Sequence, residues 1–317
     1  MSAGSRFHYN VPMNQITRRE LFRIVSSAAP ALWLAPGAAA QGQPGLKLEP
    51  IGEKLSLLSG GGSGNIAVLA GRDSLLLIDS GLPQTAEEME SRARTAGPGP
   101  IAVLINTHYH FDHVGGNERL GREGTRIMAH ENVLKRLSAT QRIAAFGRDV
   151  PPLAPEGRPK ITFTDGGTLK HGGEKVTYRH LPPAHTDGDT TIHFEHANVY
   201  HAGDLFFNGM YPFIDYSAGG SIEGMAADAD LILKAVDGKT KIIPGHGRMA
   251  TRDDLRTYRD MLGGVSDRVS KLVSAGKTLE ETLAAEPTKP YDEKFGGGFL
   301  QPAAFVRILY LGKTAKR

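Results

Sequence analysis

The run from Asn106 to Gly116 places His108, His110, Asp112 and His113 within six positions. It follows residues 101–105, an apolar Ile-Ala-Val-Leu-Ile segment that predicts a buried strand. A strand that ends and at once presents three imidazoles and a carboxylate is poorly explained by packing, because none of these groups is stable unpaired in a core. Metal binding explains it better. Imidazole nitrogen with carboxylate oxygen suits zinc, with iron, manganese or nickel less favoured on ligand type alone. His108 and His110, two apart in extended chain, can point the same way, while Asp112 and His113 sit where the chain turns. Gly115 and Gly116 allow the tight backbone there.

Three later positions extend the set. His185 lies in a Pro-Ala-His-Thr-Asp-Gly turn, Asp204 in His-Ala-Gly-Asp, and His246 in Pro-Gly-His-Gly, each close behind an apolar segment. Singly, each reads as a turn residue beside glycine. Joined to the first motif they make seven donors on loops at strand ends, where a rigid scaffold can hold them.

The elements that must position these residues alternate along the chain. Residues 54–58, 65–69 and 74–79 predict strands bounded by the glycine-rich stretch 60–64 and by residues 71–73, and residues 84–96 a helix stopped by Gly97 and Pro98. The 60–64 stretch lacks the lysine and following helix of a phosphate-binding loop and reads as a hairpin tip. Beyond the motif come a strand at 125–129, a helix at 131–137 and a proline-rich loop at 147–159 placed to lie over a cleft. Strands recur at 161–164, 175–181, 190–194 and 198–201, and helices follow at 222–236, 252–275, 279–285 and 302–311, interrupted by the apolar 241–243. Two halves that each run from strands to helix predict an α/β architecture of two sheets packed face to face with helices outside.

The motif at 108–113, with the three later positions, resembles the signature of the metallo-β-lactamase superfamily. That resemblance implies an αββα sandwich with the metal site at one edge of the two sheets. It implies a first zinc on His108, His110 and His185, a second on Asp112, His113 and His246, and Asp204 bridging both; iron or manganese could take their place. It implies a hydrolase in which a metal-bound hydroxide opens an acyl bond, with Asp112 orienting the nucleophile and relaying a proton. Asp204 stands where many β-lactamases carry a cysteine, and Phe207 where many carry a lysine for the substrate carboxylate. A bridging aspartate is closer to the glyoxalase-II-like and lactonase-like branches. Asp79, in Leu-Leu-Ile-Asp-Ser-Gly, matches a recurrent acidic position of the family and serves either to hold the metal loop by hydrogen bonds or as a strand-end turn carboxylate. Phe206, Phe207, Met210, Tyr211 and Phe213 form an apolar cluster that serves either as core or as a substrate pocket wall. His130, His171, His180, His193 and His196 match no ligand position, and His201 is undecided.

The whole chain narrows the function. Of its 37 basic and 34 acidic residues, four Arg and one Glu fall in the first 40, which leaves 33 of each sign in the remainder. The pI near 9.0 therefore comes from the leader, and electrostatic attraction to nucleic acid is not supported. A nuclease of the same fold is disfavoured on that ground. An iron-dependent persulfide dioxygenase shares much of the ligand set and is the alternative that metal analysis separates. The absence of cysteine rules out disulfides and thiolate ligands. Residues 1–40 read as a leader: Arg18 and Arg19 precede an apolar stretch over 24–35 that is too short to span a bilayer comfortably, and Ala38, Ala39 and Ala40 supply a cleavage site. The paired arginines resemble the twin-arginine class, which implies the twin-arginine export machinery as a partner and a periplasmic or secreted product without a stable membrane anchor. Residues 41–317 are then one catalytic domain acting on a small molecule.

Overall fold

The computed structural model describes residues 45–315, so the leader expected over residues 1–40 lies outside the described residues. The first sheet begins with β1 (Lys47–Pro50), β2 (Leu55–Ser59), β3 (Ile66–Ala70) and β4 (Leu75–Ile78), each joined by a short connection and paired antiparallel with the next. The connection then lengthens to carry the helix Ala86–Arg94, and a crossover of that kind brings the chain back parallel. β5 (Ile101–Ile105) and β6 (Arg126–His130) continue the sheet in this way. A separate hairpin of β7 (Gln141–Ile143) and β8 (Arg148–Val150) intervenes before β9 (Ile161–Phe163) closes the sheet parallel to β6.

The second sheet holds β10 (Gly166–His171), β11 (Glu174–His180), β12 (Thr190–Phe194) and β13 (Val199–Phe207) as antiparallel neighbours. The helix Ile222–Ala235 crosses back so that β14 (Lys241–His246) lies parallel to β13. No helix among the described residues is long and apolar enough to cross a membrane.

Strand alternation explains how the layers stack. In β3 and β4, Ala67, Leu69, Leu76 and Ile78 face the space between the sheets, where they meet Val176, Ile192, Phe194 and Ile243 of the second sheet. Their neighbours Val68, Leu75 and Leu77 face outward onto Met89 and Ala93 of the helix Ala86–Arg94. Burial of both faces is why these strands read as unbroken apolar runs. On the far side, Tyr200, Phe206 and Ile242 pack under the helices Ile222–Ala235 and Arg252–Ser274 through Met225, Ile232, Tyr258 and Leu262. The long helix is framed by a capping box between Thr251 and Asp254. The result is the αββα sandwich that the alternation of elements predicts.

Local differences from the sequence reading have local causes. β13 runs on to Phe207 because a register shift at Gly203, with φ of +53°, absorbs the irregularity and lets the ladder resume. Asp204 therefore sits inside a strand. The hairpin β7–β8 occupies part of what reads as a proline-rich loop, and β1 and β10 carry too few apolar residues to register as strands.

Candidate metal centre

The site forms where strands of both sheets end. β5 delivers His108 and His110, and a single helical turn, Phe111–Val114, carries Asp112 and His113. The turn after β11 delivers His185, β13 delivers Asp204, and β14 ends on His246. These side chains converge as two adjoining groups able to hold a metal ion: His108, His110, His185 and Asp204, then Asp112, His113 and His246. Asn65 joins the loops across the sheets, its Nδ2 donating to Pro244 O and Gly247 O, both at 2.9 Å.

In the first group, His108 Nε2 lies 3.1 Å and His185 Nε2 2.9 Å from His110 Nδ1. The outer nitrogen of each ring is already a donor. His108 Nδ1 donates to Thr107 Oγ1 at 3.0 Å, because that hydroxyl gives its own proton to Asp79 Oδ2. His110 Nε2 donates to Asp215 Oδ2 at 3.0 Å, and His185 Nδ1 to Phe213 O at 2.9 Å. Three inward lone pairs thus face one another with no proton between them, an arrangement that is repulsive until a cation sits among them. Donors bound at about 2.0–2.1 Å around a tetrahedral metal stand about 3.3 Å apart, close to the spacing seen here.

Asp204 faces both groups. Its Oδ2 lies 3.4 Å from His185 Nε2 and 3.7 Å from His108 Nε2, while Oδ1 lies 3.1 Å from His113 Nε2 and 3.5 Å from His246 Nε2. Despite these neighbours, Oδ1 is buried without a hydrogen bond of acceptable geometry. A buried carboxylate oxygen left without a partner among imidazoles suits a ligand to a cation. In the second group, Asp112 Oδ2 lies 3.1 Å from His246 Nε2 and 3.6 Å from His113 Nε2. Two glycines make the approach possible: a methyl on Gly245 would fall 1.9 Å from Asp204 Oδ1, and one on Gly64 would fall 2.3 Å from His113 Cε1.

The electrostatics divide the two groups. Burial, reinforced by the charge of His113, holds His108 well below the ordinary imidazole range, and burial pushes His185 down to about 4. Both are then neutral at pH 7, the form that ligates. Burial also opposes charge on Asp204 and Asp112, but the imidazoles of His113 and His246 outweigh it and keep both carboxylates below their usual range. The same attraction overrides the burial of His246, lifting it to about 9, and raises His113 well above its ordinary value. The two carboxylates thus concentrate positive charge where a metal would replace protons.

Asp79 is fully buried at a positive φ of +64°, which non-glycine residues adopt at a cost of about 1–3 kcal/mol. Its Oδ1 accepts from Thr107 N at 2.8 Å and its Oδ2 from His113 Nδ1 at 2.8 Å, so it locks the loop between His108 and His113. Two carboxylates missed in the sequence do similar work. Asp215 accepts from His110 and, at 2.5 Å, from Tyr109 Oη; Asp189 Oδ2 accepts from His185 N at 2.7 Å and Thr186 N at 2.8 Å. The only sequence signal for either is a buried-looking aspartate between apolar residues or beside a turn.

The apolar cluster splits. Phe207 stacks on the His246 ring at 5.2 Å, and Phe213 lies 5.7 Å from His110 and 6.0 Å from His185. Phe206 and Tyr211 do not line a pocket: strand alternation turns Phe206 onto Tyr258 at 5.1 Å, and Tyr211 stacks on Phe305 at 4.7 Å. Met210 is half-buried against the same core. His201 is buried outside both donor groups, its Nε2 donating to Asn65 O at 3.1 Å. His130, His171 and His180 likewise bond backbone groups.

The chain is similar to several known proteins. The sequence is 24% identical over 201 residues to an uncharacterized protein of Aquifex aeolicus, covering 63% of this chain and 92% of that one. It is 30% identical over 132 residues to a hydroxyacylglutathione hydrolase of Polaromonas sp., covering 41% and 47%. Among solved structures, a metallo-beta-lactamase from Pontibacter korlensis superposes with a TM-score of 0.55 at 19% identity, covering 69% of this chain and 99% of that one. A stereoselective inverting sec-alkylsulfatase from Pseudomonas sp. does so with a TM-score of 0.64 at 17% identity, covering 84% and 50%. At these identities the superpositions show the fold. The sequence model of the metallo-beta-lactamase superfamily matches residues 59–273, more than half of the chain, which therefore belongs to that superfamily and is a metallo-hydrolase.

Proposed function

We propose that the protein is a dinuclear zinc hydrolase that opens acyl bonds, acting on lactones or thioesters in preference to β-lactams. The observation that carries this reading is Asp204, whose two carboxylate oxygens each face a different group of imidazoles. His108, His110 and His185 would hold one ion, Asp112, His113 and His246 the other, with Asp204 shared. When bound, the two ions supply a Lewis acid for the carbonyl and a water whose pKa is lowered toward about 7.

The chain's own residues do the rest. Asp79, Asp215 and Phe213 O hold imidazole tautomers so that lone pairs face inward. Asp112, buried with its carboxylate kept ionised by His113 and His246, orients the attacking water and carries its proton to the leaving group. Phe213 and Phe207 each border one of the two donor groups with an apolar ring that limits water beside the acyl carbon.

The preference against β-lactams rests on Phe207, which offers no cation for a substrate carboxylate. A charge-assisted contact of that kind is worth about 1.5–3 kcal/mol, roughly tenfold to a hundredfold in specificity. The partial likeness to a hydroxyacylglutathione hydrolase, whose substrate is an acyl thioester, supports the thioester arm. Steady-state kcat/KM of zinc-replete protein on matched lactones, thioesters and β-lactams tests the reading. Efficient β-lactam opening with negligible lactone and thioester turnover refutes the preference, and oxygen consumption by a one-iron protein favours the persulfide dioxygenase. Export through the twin-arginine route to the periplasm or beyond completes the proposal, motivated by Arg18, Arg19 and the short apolar stretch behind them.

A further inference from the structure

We infer that Phe146, at the tip of the β7–β8 hairpin, is a specificity-determining residue that holds the apolar acyl part of the substrate against Phe213. The inference rests on the hydrolase reading above and adds to it which part of the substrate is recognised.

The tip is a 3-10 turn, Ala144–Phe146, ended by Gly147 at φ +59°. Phe146 is 37% exposed, and among the described residues it is the one aromatic of three large apolar side chains left that open. Its ring stacks on Phe213 at 4.8 Å and 29°, and Phe213 in turn lies against His110 and His185 of the first donor group. The exposed phenyl is thus one ring away from the metal ligands.

The hairpin is fixed at its base. Ile143 is buried in the main core and Val150 packs against it, while Gln141 Nε2 donates to Arg136 O at 3.0 Å and Arg136 Nη1 to Gln141 Oε1 at 3.0 Å. From that base the tip carries the exposed phenyl of Phe146. On the opposite side the second donor group is bordered the same way, by Phe207 on His246 and by Phe299 at 6.2 Å from Phe207 and 6.3 Å from His246. A carbonyl placed between the two groups therefore has phenyl rings on both flanks, and its acyl chain covers Phe146. Apolar chains gain from that contact and charged ones do not.

The test uses metal-replete full-length chain and two readouts. Binding of straight-chain carboxylates from acetate to octanoate is measured by calorimetry, and hydrolysis is measured on acetyl to octanoyl thioesters. Wild-type affinity should rise about threefold to fourfold per methylene over the part of the chain that reaches the rings. Phe146→Ala should lose roughly tenfold on octanoate and octanoyl thioester, with acetate binding and metal content unchanged. Affinity independent of chain length, or equal losses on acetate and octanoate, overturns the inference. Hydrolysis without chain-length dependence leaves the hydrolase reading standing and removes this one. Chain-length-dependent binding that Phe146→Ala abolishes, without hydrolysis of any thioester, supports this one and removes the thioester arm of the proposed function.

Discussion

Replacing Asp215 with asparagine should weaken the first metal position by tenfold to a hundredfold without unfolding the protein. The carboxylate is 1% exposed, and its two oxygens divide their donors. Oδ1 accepts from Ser217 N at 3.0 Å, Ala218 N at 3.2 Å and the Ser217 hydroxyl; Oδ2 accepts from Tyr109 Oη at 2.5 Å and His110 Nε2 at 3.0 Å. An asparagine keeps its oxygen on the side with two backbone donors, so its NH2 must meet Tyr109 and His110. The hydroxyl can rotate and accept. The imidazole can accept only by moving its proton to Nδ1, the nitrogen that faces His108 and His185, and a protonated Nδ1 cannot bind metal. The lost charge-assisted bond is worth about 1.5–3 kcal/mol, which matches the roughly tenfold to hundredfold effect of altering a group that orients a ligand. Competition of zinc between protein and a chelating dye at fixed pH measures it. Ser217→Ala, which touches only the Oδ1 side, serves as the control and should bind normally. Wild-type affinity in Asp215→Asn would refute the tautomer argument.

Gly64→Ala should cost metal at the second group and spare the first, because the added methyl would lie 2.3 Å from His113 Cε1; equilibrium dialysis showing full metal content would contradict this. Asp228 is 1% exposed, has no hydrogen bond at either oxygen, and is pushed up to about 8 by burial and by Asp189. The native state thus keeps a proton that the unfolded chain releases, so this group's contribution to stability falls as pH rises from about 4 through about 8. Asp228→Asn should therefore flatten the fall in Tm between pH 5 and pH 8, and identical slopes in wild type and variant would rule the argument out. Changing Arg18 and Arg19 to lysine should trap precursor in the cytoplasm of an expressing cell, whereas normal export would remove the leader from the account.

The donor set was legible because its chemistry is concentrated: His108 to His113 cannot pack as apolar residues, and His185, Asp204 and His246 each come close behind an apolar segment of the sequence. The layered architecture was legible because β3, β4 and β5 are short unbroken apolar runs separated by turn residues. Asp215 and Asp189 were not, since what marks them is a bond to a histidine distant in sequence or a cap on a loop, and neither leaves a pattern along the chain. Phe206 and Phe207 illustrate a further limit. Adjacent phenylalanines look alike in sequence, yet one packs on Tyr258 and the other on His246 because the strand alternates. The hairpin was hidden because β7 and β8 pair through only three residues each and Pro151 and Pro152 directly behind them read as the start of an irregular loop.

Metal content tests the central claim most directly. Elemental analysis of the protein purified with zinc should give two zinc ions per chain, and Asp204→Ala should lose at least one of them together with most activity, because one carboxylate serves both groups. An Asp204→Ala protein that keeps two zinc ions and full turnover would show that Asp204 is not the bridge and that the two donor groups do not work as one site.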